Sequence, residues 1–379
     1  MTGASKTMEQ STPNLRALEA YLRFSYPLGY APFPGQENVP YPEIRFTSVP
    51  GRAKEDYLKE LIRILEDIFV TERQYSDAAF LSSGVDSSLI AFGIRARKTF
   101  SVAYEEQAFD ESALAMHSAE KLGSEHHIVK ISPADYFDAV GESMACRGLP
   151  VGDASYIALF IAAREASLHT DVICSGEGPD ELFCGYPCYS RYFDNPCEDF
   201  WLGVNTVMEI GEVPELPSYG GDGFLKMNAF DLTEWMHGDI LPNLPGAEKG
   251  SGISIRTPYM RQDLWDFALS LPVKYKADRT MGKLLFREAA LPYVGAEIAF
   301  REKKGFPVPV RKWMRLEPFK TMILDALTGT IARTVLRCVD VEEILRVFYI
   351  AGDDSVWKQI WEMYALIRWF EAPQGSVPA

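Results

Sequence analysis

The sequence has few of the residues and runs that mark a metal-bound, disulfide-bonded or membrane-spanning protein. It contains five histidines and six cysteines among 379 residues. The cysteines form no CxxC pair and no zinc-type spacing, so we expect free thiols in a reducing cytoplasm. No run of about 18 apolar residues occurs, which argues against a membrane span. Residues 1–14 show neither the apolar core nor the cleavage pattern of a signal peptide.

Excess positive charge is also missing, since the formal net charge is −15. A nucleic-acid surface needs clustered Lys and Arg, so we do not expect a nucleic-acid partner. A local cluster of lysines inside an acidic protein can still serve a nucleotide such as ATP. The hydrophobic fraction of 47% and the charged fraction of 24% are those of an ordinary globular enzyme or binding protein.

Short apolar runs alternate with helical patterns in the first half of the chain. Strands are predicted over residues 78–81, 99–104, 126–130 and 171–175. Helices are predicted between them, over 86–95, from Asp110 to Gly123, and after Asp153. This alternation predicts an α/β fold, with a parallel sheet covered by helices on both faces.

The predicted organisation has three parts. Residues 1–16 form a flexible tail, residues 17–200 form an α/β core, and residues 201–379 are mainly helical. We expect no strand after about residue 200. The last helix carries an apolar stripe that indicates packing rather than a cofactor site.

An unusual turn follows the first predicted strand. The segment FLSSGVDSSLIAFG (80–93) places small and hydroxyl residues between a strand and a helix. It is not a Walker loop or a dinucleotide loop, because both GxxxxGK[ST] and GxGxxG are absent. Backbone N–H groups at the helix start, with the hydroxyls of Ser82, Ser87 and Ser88, can hold a pyrophosphate. A plain Ser/Asp helix cap is the alternative.

A second unusual turn, CSGEGPDELFCGY (174–186), follows the fourth predicted strand. It brings the carboxylates of Glu177, Asp180 and Glu181 together within five positions. Carboxyl ends of parallel strands lie at one edge of a sheet, where ligands bind. We therefore expect Asp86 and Asp180 to share one Mg²⁺, which binds through one or two carboxylates plus phosphate oxygens. An acidic helix start is the alternative.

A basic stretch, FREKKGFPVPVRKW (300–313), supplies the cations that an anionic site needs. Arg301, Lys303 and Lys304 form the cluster, and the following Gly and Pro residues favour a fixed turn over a solvated charged face.

Together these three stretches resemble the synthetase domain of the asparagine synthetase family, a branch of the ATP-pyrophosphatase fold. Its SGGxDSS loop is similar to residues 82–88, its SGEGxDELFGGY segment to 175–186, and its lysine loop to 301–309. The stretches FDESALAMHSAEKLGSEHH, IRTPYMRQDLWDFALSLP and GKLLFREAA also look like family segments. The resemblance covers roughly residues 17 to 372, and it implies that the α/β core over 17–200 binds ATP and that the helical part over 201–379 closes the active site.

The resemblance implies a two-step reaction that uses ATP and Mg²⁺. A carboxylate attacks the α-phosphate to give an acyl-adenylate and pyrophosphate, and a nitrogen nucleophile then displaces AMP. Lys303 would stabilise charge at the α-phosphate, and Glu177 would face the incoming nitrogen. Asp86 and Asp180 would hold the metal.

The resemblance also assigns the binding residues. ATP would contact Leu81, Ser82, Gly84, Asp86, Ser87, Ser88, Val102, Ser175 and Gly176. The second substrate would contact Glu177, Glu181 and Arg256. β-Lactam synthetases, which resemble the family, place Tyr where this chain has Glu177, so the residue favours the ammonia-using branch.

Some family features are missing or altered. Family members begin with Met-Cys, whose Cys is the glutaminase nucleophile, whereas residue 2 is Thr and the glutaminase domain is not found. Ammonia, an amine or a separate glutaminase subunit is therefore the expected nitrogen source. The family segment EVRVPFLD reads SIRTPYMR, so Ser254 replaces Glu and Arg261 replaces Asp. This reversal of charge puts aspartate in doubt as the substrate.

We therefore expect an AMP-forming amide synthetase that takes a small carboxylic acid, with no nucleic-acid or membrane partner and with a possible homodimer. One alternative is an amine-dependent or intramolecular ligase that forms lactams or peptides. Another is an inactive nucleotide-binding partner of an amidotransferase, which the presence of Asp86, Asp180, Glu177 and Lys303 disfavours.

Overall fold

The fold is of the α/β class, with a β-sheet surrounded by helices. The computed structural model describes residues 14–30, 42–47, 51–194, 207–210, 223–302 and 305–372. The strands are β1 Ala78–Phe80, β2 Lys98–Ala103, β3 Glu125–Lys130, β4 Val172–Cys174 and β5 Ser254–Arg256. The helices of the first half are α1 Leu15–Phe24, α2 Lys54–Glu72, α3 Val85–Ile94, α4 Ser112–Leu122, α5 Pro133–Arg147, α6 Ser155–Ser167, α7 Pro179–Leu182 and α8 Pro187–Arg191.

Helices make up most of the second half. They are α9 Gly223–Phe230, a π-helical segment Asp231–Ile240, α10 Leu241–Ser251, α11 Gln262–Ser270, α12 Val273–Lys276, α13 Leu284–Val294, α14 Ala296–Ala299, α15 Val310–Trp313, α16 Phe319–Thr328, α17 Thr330–Val335, α18 Val341–Tyr349 and α19 Trp357–Glu371. Short 3₁₀ turns lie at Pro258–Met260 and Asp354–Val356.

The strands within the described ranges form one parallel sheet in the order β3-β2-β1-β4-β5. The chain adds β2 and β3 on one side of β1 and then crosses to add β4 and β5 on the other side. The order of strands therefore reverses between β1 and β4, and in such sheets ligands bind at this switch point. The turns after β1 and β4 are neighbours there, because Ala79 pairs with Cys174.

Alternate residues of the strands supply two separate apolar layers. Ala78 and Ile173 pack toward α6 and α10, whereas Ala79 and Cys174 pack toward α2, α3 and α13. Because side chains of a strand point alternately to opposite faces, both faces of the sheet are covered by helices. The predicted fold class is confirmed.

The predicted strands are present with ends that differ by one residue, but the expectation of no strand after residue 200 is wrong. Ser254, Ile255 and Arg256 pair with β4 and complete the sheet. Three residues are too few to show the alternation by which a strand is predicted from sequence. The division into parts at residue 200 stays a prediction, since residues 195–206 lie outside the described residues. Of the predicted tail 1–16, residues 1–13 also lie outside them, whereas Leu15 and Arg16 belong to helix α1 and not to a tail.

Helix α19 is a packing element, as its apolar stripe predicted. Ile360, Trp361, Tyr364 and Ile367 are fully or almost fully buried in one apolar cluster. The indole nitrogen of Trp361 donates to the carbonyl of Gly152 at 2.9 Å. This bond joins the end of the chain to the segment before α6.

Within the described residues, no helix is both long and apolar enough to cross a membrane. The cysteines at 146, 174, 184, 188 and 338 are free thiols.

We predict that Trp361→Ala lowers the free energy of unfolding by about 3–5 kcal/mol, because it empties a well-packed site. Thermal or urea unfolding followed by circular dichroism measures the change. Trp357→Ala is the matched control, since Trp357 is half-buried at the start of the same helix and should cost much less. Equal losses for the two variants would contradict the packing role.

Candidate active site

The turn after β1 is held by its own hydroxyl groups. The backbone N–H of Ser82 donates to Oγ of Ser87 at 3.0 Å, and the two hydroxyl oxygens lie 2.8 Å apart. The backbone N–H of Gly84 donates to Oγ of Ser82 at 3.2 Å. The hydroxyl groups of the turn thus lie next to the backbone N–H groups at the start of α3, an arrangement suited to a phosphate.

The turn after β4 approaches this first turn very closely. A Cβ built on Gly176 would lie 2.7 Å from the backbone nitrogen of Ser87 and 2.8 Å from its Cα. Only glycine allows this approach without a shift of backbone. The backbone N–H of Ser175 donates to the carbonyl of Arg256 at 2.9 Å, so the neighbouring strand fixes the turn.

A buried ammonium group joins the two turns. Nζ of Lys283 lies 2.6 Å from Oδ2 of Asp86 and 2.7 Å from Oδ1 of Asp180, and the lysine side chain is 1% exposed. The two carboxylates are therefore near neighbours, as predicted from their places at the ends of β1 and β4. The sequence analysis did not identify Lys283, which lies about a hundred residues after Asp180 in the chain.

The backbone around Lys283 explains why the ammonium reaches this point. Lys283 has a positive φ of 61°, and its N–H donates to the carbonyl of Phe183 at 3.0 Å. Gly282 packs so tightly that an added Cβ would lie 1.8 Å from the carbonyl oxygen of Cys184. The loop before α13 is thus pressed onto the end of α7, with its lysine directed between the carboxylates.

The donor set also fits a divalent cation. Lys283 uses one oxygen of Asp86, and the other, Oδ1, is buried without a hydrogen-bond partner among the described residues. A buried carboxylate oxygen without a partner is costly unless a ligand satisfies it. Mg²⁺ takes such oxygens together with phosphate oxygens.

A cavity of about 350 Å³ opens above these turns. Most of the residues assigned from the sequence line it, namely Leu81, Ser82, Asp86, Ser87, Val102, Ser175, Gly176, Glu177 and Asp180. Others were not predicted, including Asp153, Tyr156, Tyr186, Trp235, Asn243 and Phe306. Tyr186 and Phe306 stand in the second turn and the basic stretch, but they were assigned no role. Asp153 and Tyr156 lie just before and within α6, and Trp235 and Asn243 lie in the helical segments around 230–250, where no motif was recognised.

Some assigned residues do not line the cavity. Gly84 and Ser88 belong to the first turn and the start of α3, where the N–H of Ser88 donates to the carbonyl of Gly84 at 3.2 Å. Glu181 is buried, accepts a hydrogen bond from the hydroxyl of Tyr186, and so holds a wall residue in place. Burial and the neighbouring Asp180 raise the pKa of Glu181 well above its usual range.

The structure does not bring Arg256 to the cavity. Its guanidinium pairs with Glu72 and lies 4.1 Å above the ring of Tyr75. A contact between Arg256 and a substrate stays a prediction without support from this arrangement.

The altered residues Ser254 and Arg261 are also not among the residues that line the cavity. Arg261 pairs with Asp67 at 2.7 Å and with Asp263 at 2.6 Å. Its charge therefore serves surface ion pairs, and the reversal from Asp to Arg says little about the substrate.

Lys303 and Lys304 lie outside the described residues, but both flanks of the pair reach the site. A guanidinium nitrogen of Arg301 donates to the carbonyl of Ser83 in the first turn at 2.9 Å. Gly305, Phe306 and Pro307 line the cavity.

Comparisons with known proteins match the sequence of this chain to one family. The family model described as asparagine synthase matches residues 70–371. A putative glutamine-hydrolysing asparagine synthetase of Mycobacterium tuberculosis is 28% identical over 86% of this chain and 59% of its own length. Asparagine synthetase 1 of Bacillus subtilis is 28% identical over 71% of this chain and 52% of its own length. The enzyme of Mesocricetus auratus is 32% identical over 73% and 49%. The chain thus spans about half the length of these relatives.

We predict that Gly176→Ala disturbs the contact between the two turns and lowers stability by about 1–3 kcal/mol, the usual range for overpacking. It should also abolish or strongly reduce the thermal stabilisation that MgATP gives. Differential scanning fluorimetry with and without MgATP measures both effects. Gly141→Ala is the control. Gly141 lies within helix α5, and the nearest atom to an added Cβ would be a side-chain nitrogen of Arg368 at 3.6 Å. A Gly176→Ala protein that matches wild type in both readouts would contradict the close approach.

Proposed function

The chain belongs to the asparagine synthase family, and from that premise we propose that it is an ATP-dependent ligase that forms an amide from a carboxylic acid and ammonia or an amine. One observation carries the proposal. Asp86 and Asp180 meet at a single buried ammonium, Nζ of Lys283, beside a turn built to hold phosphate. A pair of carboxylates at the carboxyl ends of adjacent strands is what a metal-bound nucleotide needs.

In this proposal the first turn holds the pyrophosphate part of ATP. The hydroxyls of Ser82 and Ser87 and the N–H groups at the start of α3 donate to its oxygens. Asp86 and Asp180 hold Mg²⁺, which offsets negative charge on the phosphates when it is bound. Leu81, Val102 and Gly176 line the part of the cavity assigned to the adenosine.

The chemistry proposed is attack of the substrate carboxylate oxygen on the α-phosphorus. The bond to the bridging oxygen breaks, and pyrophosphate leaves from the first turn. The nitrogen nucleophile then attacks the acyl carbon, loses a proton and expels AMP. We assign to Lys303 the stabilisation of charge that develops at the α-phosphate, supported by the flanks of residues 303–304 at the cavity.

Glu177 lines the cavity, three residues before Asp180 in the same turn, and we assign to it the contact with the incoming nitrogen. The nitrogen donor in this proposal is free ammonia, an amine, or ammonia passed from a separate glutaminase subunit. We keep the cytoplasm as the proposed location and a homodimer as the proposed assembly.

An amine-dependent or intramolecular ligase is the alternative within enzymes. It rests on the same site and differs only in the nucleophile, so product analysis with ammonium and with amines separates the two. An inactive nucleotide-binding partner is the alternative outside enzymes, and it predicts ATP binding without AMP release.

We predict AMP and pyrophosphate as products when the purified chain is screened with carboxylic acids, MgATP and ammonium or amines. Lys303→Ala should lower kcat by about 10²- to 10³-fold with little change in ATP affinity, the scale for loss of one preorganised charge-stabilising group. Chromatography of nucleotides and a pyrophosphate assay provide the readout. The control is Lys312→Ala, because Lys312 is an exposed lysine of helix α15. Release of ADP and orthophosphate would overturn the assignment.

We further predict that Asp86→Asn reduces Mg²⁺-dependent turnover by several powers of ten, since it removes a negative ligand that the metal shares with Asp180. Isothermal titration of Mg²⁺ with ATP should show a matching loss of affinity. Asp77→Asn is the control, because Asp77 is an exposed carboxylate at the opposite end of β1. Near-normal turnover of Asp86→Asn would remove the metal role.

A further inference from the structure

Arg287 is a buried arginine that the proposed chemistry has not used. It lies in the first turn of helix α13, one helical turn after Lys283, and is 3% exposed. Its backbone N–H donates to the carbonyl of Lys283 at 2.8 Å. Burial lowers its pKa, while the charges of Asp86 and Asp180 oppose that shift. The guanidinium is therefore within electrostatic range of both carboxylates.

The guanidinium joins two segments of backbone. Nε donates to the carbonyl of Gly282 at 2.9 Å. Nη1 donates to the carbonyl of Ala299 at 2.8 Å and to that of Arg301 at 2.9 Å. These three partners are carbonyl oxygens from two places in the chain. A planar, rigid fork can hold several acceptors in fixed directions, which an ammonium group on a flexible stem does not do.

Each of the two segments leads to a cation of the site. Gly282 immediately precedes Lys283, whose ammonium lies between Asp86 and Asp180. Arg301 immediately precedes the stretch that contains Lys303, and its own guanidinium donates to the carbonyl of Ser83 in the phosphate-holding turn. The fork of Arg287 thus fixes the separation between the buried lysine and the base of the basic stretch.

We infer that Arg287 is a positioning residue for the reaction, which sets the places of Lys283 and of the backbone at Arg301, two residues before Lys303, relative to one another. The inference rests on the proposed function. Its contacts are with backbone carbonyls, so it acts through the two lysines and does not itself contact the substrate. A displacement of about 1 Å at a reacting group can cost 10²-fold in rate. Loss of the fork should therefore affect turnover more than nucleotide binding.

The test compares Arg287→Met and Arg287→Lys in the full chain. Arg287→Met should lower kcat by about 10- to 100-fold and leave the KM for ATP within about threefold, because the phosphate-holding turn keeps its own hydrogen bonds. Arg287→Lys keeps the charge but lacks the fork, and it should show a similar loss. Full activity of Arg287→Lys would overturn the inference, since charge alone would then suffice.

A double-mutant cycle with Lys303→Ala separates positioning from general destabilisation. If Arg287 acts partly through Lys303, adding Arg287→Met to Lys303→Ala should cost much less than it does in the wild-type background. Fully additive losses would contradict the inference. Arg73→Met is the control, since Arg73 also donates to a backbone carbonyl, that of Gly93 at 3.0 Å, but Gly93 lies near the end of helix α3 and adjoins neither lysine in sequence. It should leave kcat unchanged.

Hydrogen–deuterium exchange gives a readout that needs no acid substrate and tolerates a poorly active variant. In Arg287→Met, exchange should rise in peptides that cover 281–287 and 297–302 together. A rise in only one of the two segments would overturn the joint role. Wild-type protein that releases no AMP would contradict the proposed function. Wild-type protein that releases AMP, with unchanged kinetics in Arg287→Met, would contradict only the role of Arg287.

Discussion

The site depends on one charge arrangement, in which the ammonium of Lys283 lies between the carboxylates of Asp86 and Asp180. Two carboxylates placed this close in a buried setting repel each other and lose hydration. A shared cation offsets both effects. Removal of one member of such a group leaves an unpaired buried charge, which typically costs about 3–5 kcal/mol. The turns after β1 and β4 and the loop before α13 are therefore linked in stability as well as in position.

Close backbone contacts make that arrangement possible. Gly176 allows the second turn to lie against the start of α3, and Gly282 allows the lysine loop to lie against Cys184. Each glycine acts where a single added carbon would collide with backbone rather than with a movable side chain. The precision of the site thus comes from main-chain packing at two points, and the charged side chains follow from it.

The nearness of Asp86 and Asp180 was predictable from the sequence, whereas Lys283, which lies between them, was not. Asp86 and Asp180 each follow a short apolar strand, and parallel strands bring such positions to one edge. Lys283 stands in a segment, MGKLLFREAA, that reads as an ordinary helix start. Its burial depends on a positive φ and on a contact with residues a hundred positions earlier. Neither leaves a periodic signal. Strand β5 was not predicted for a related reason. Only Ile255 of its three residues is buried, so the strand shows no periodic pattern either.

The side walls of the cavity show the same limit. Trp235 and Asn243 come from segments without any motif, and they reach the cavity because the helices around them pack on the sheet. The nitrogen of the Trp235 indole donates to the hydroxyl of Tyr186 at 3.2 Å, which in turn donates to Glu181. Long-range packing therefore brings side-wall residues such as Trp235 and Asn243 to the cavity, whereas short sequence patterns mark the residues of the two turns.

If Asp86 and Asp180 hold a metal ion as proposed, the internal ammonium separates folding from metal binding. In many metal sites the ligands repel until the ion arrives, so removal of the ion unfolds the surrounding chain. Here Lys283 already supplies a positive charge to both carboxylates. A preparation stripped of divalent ions should therefore keep its native conformation. A titration with Mg²⁺ and nucleotide would then measure the free energy of binding without a contribution from refolding.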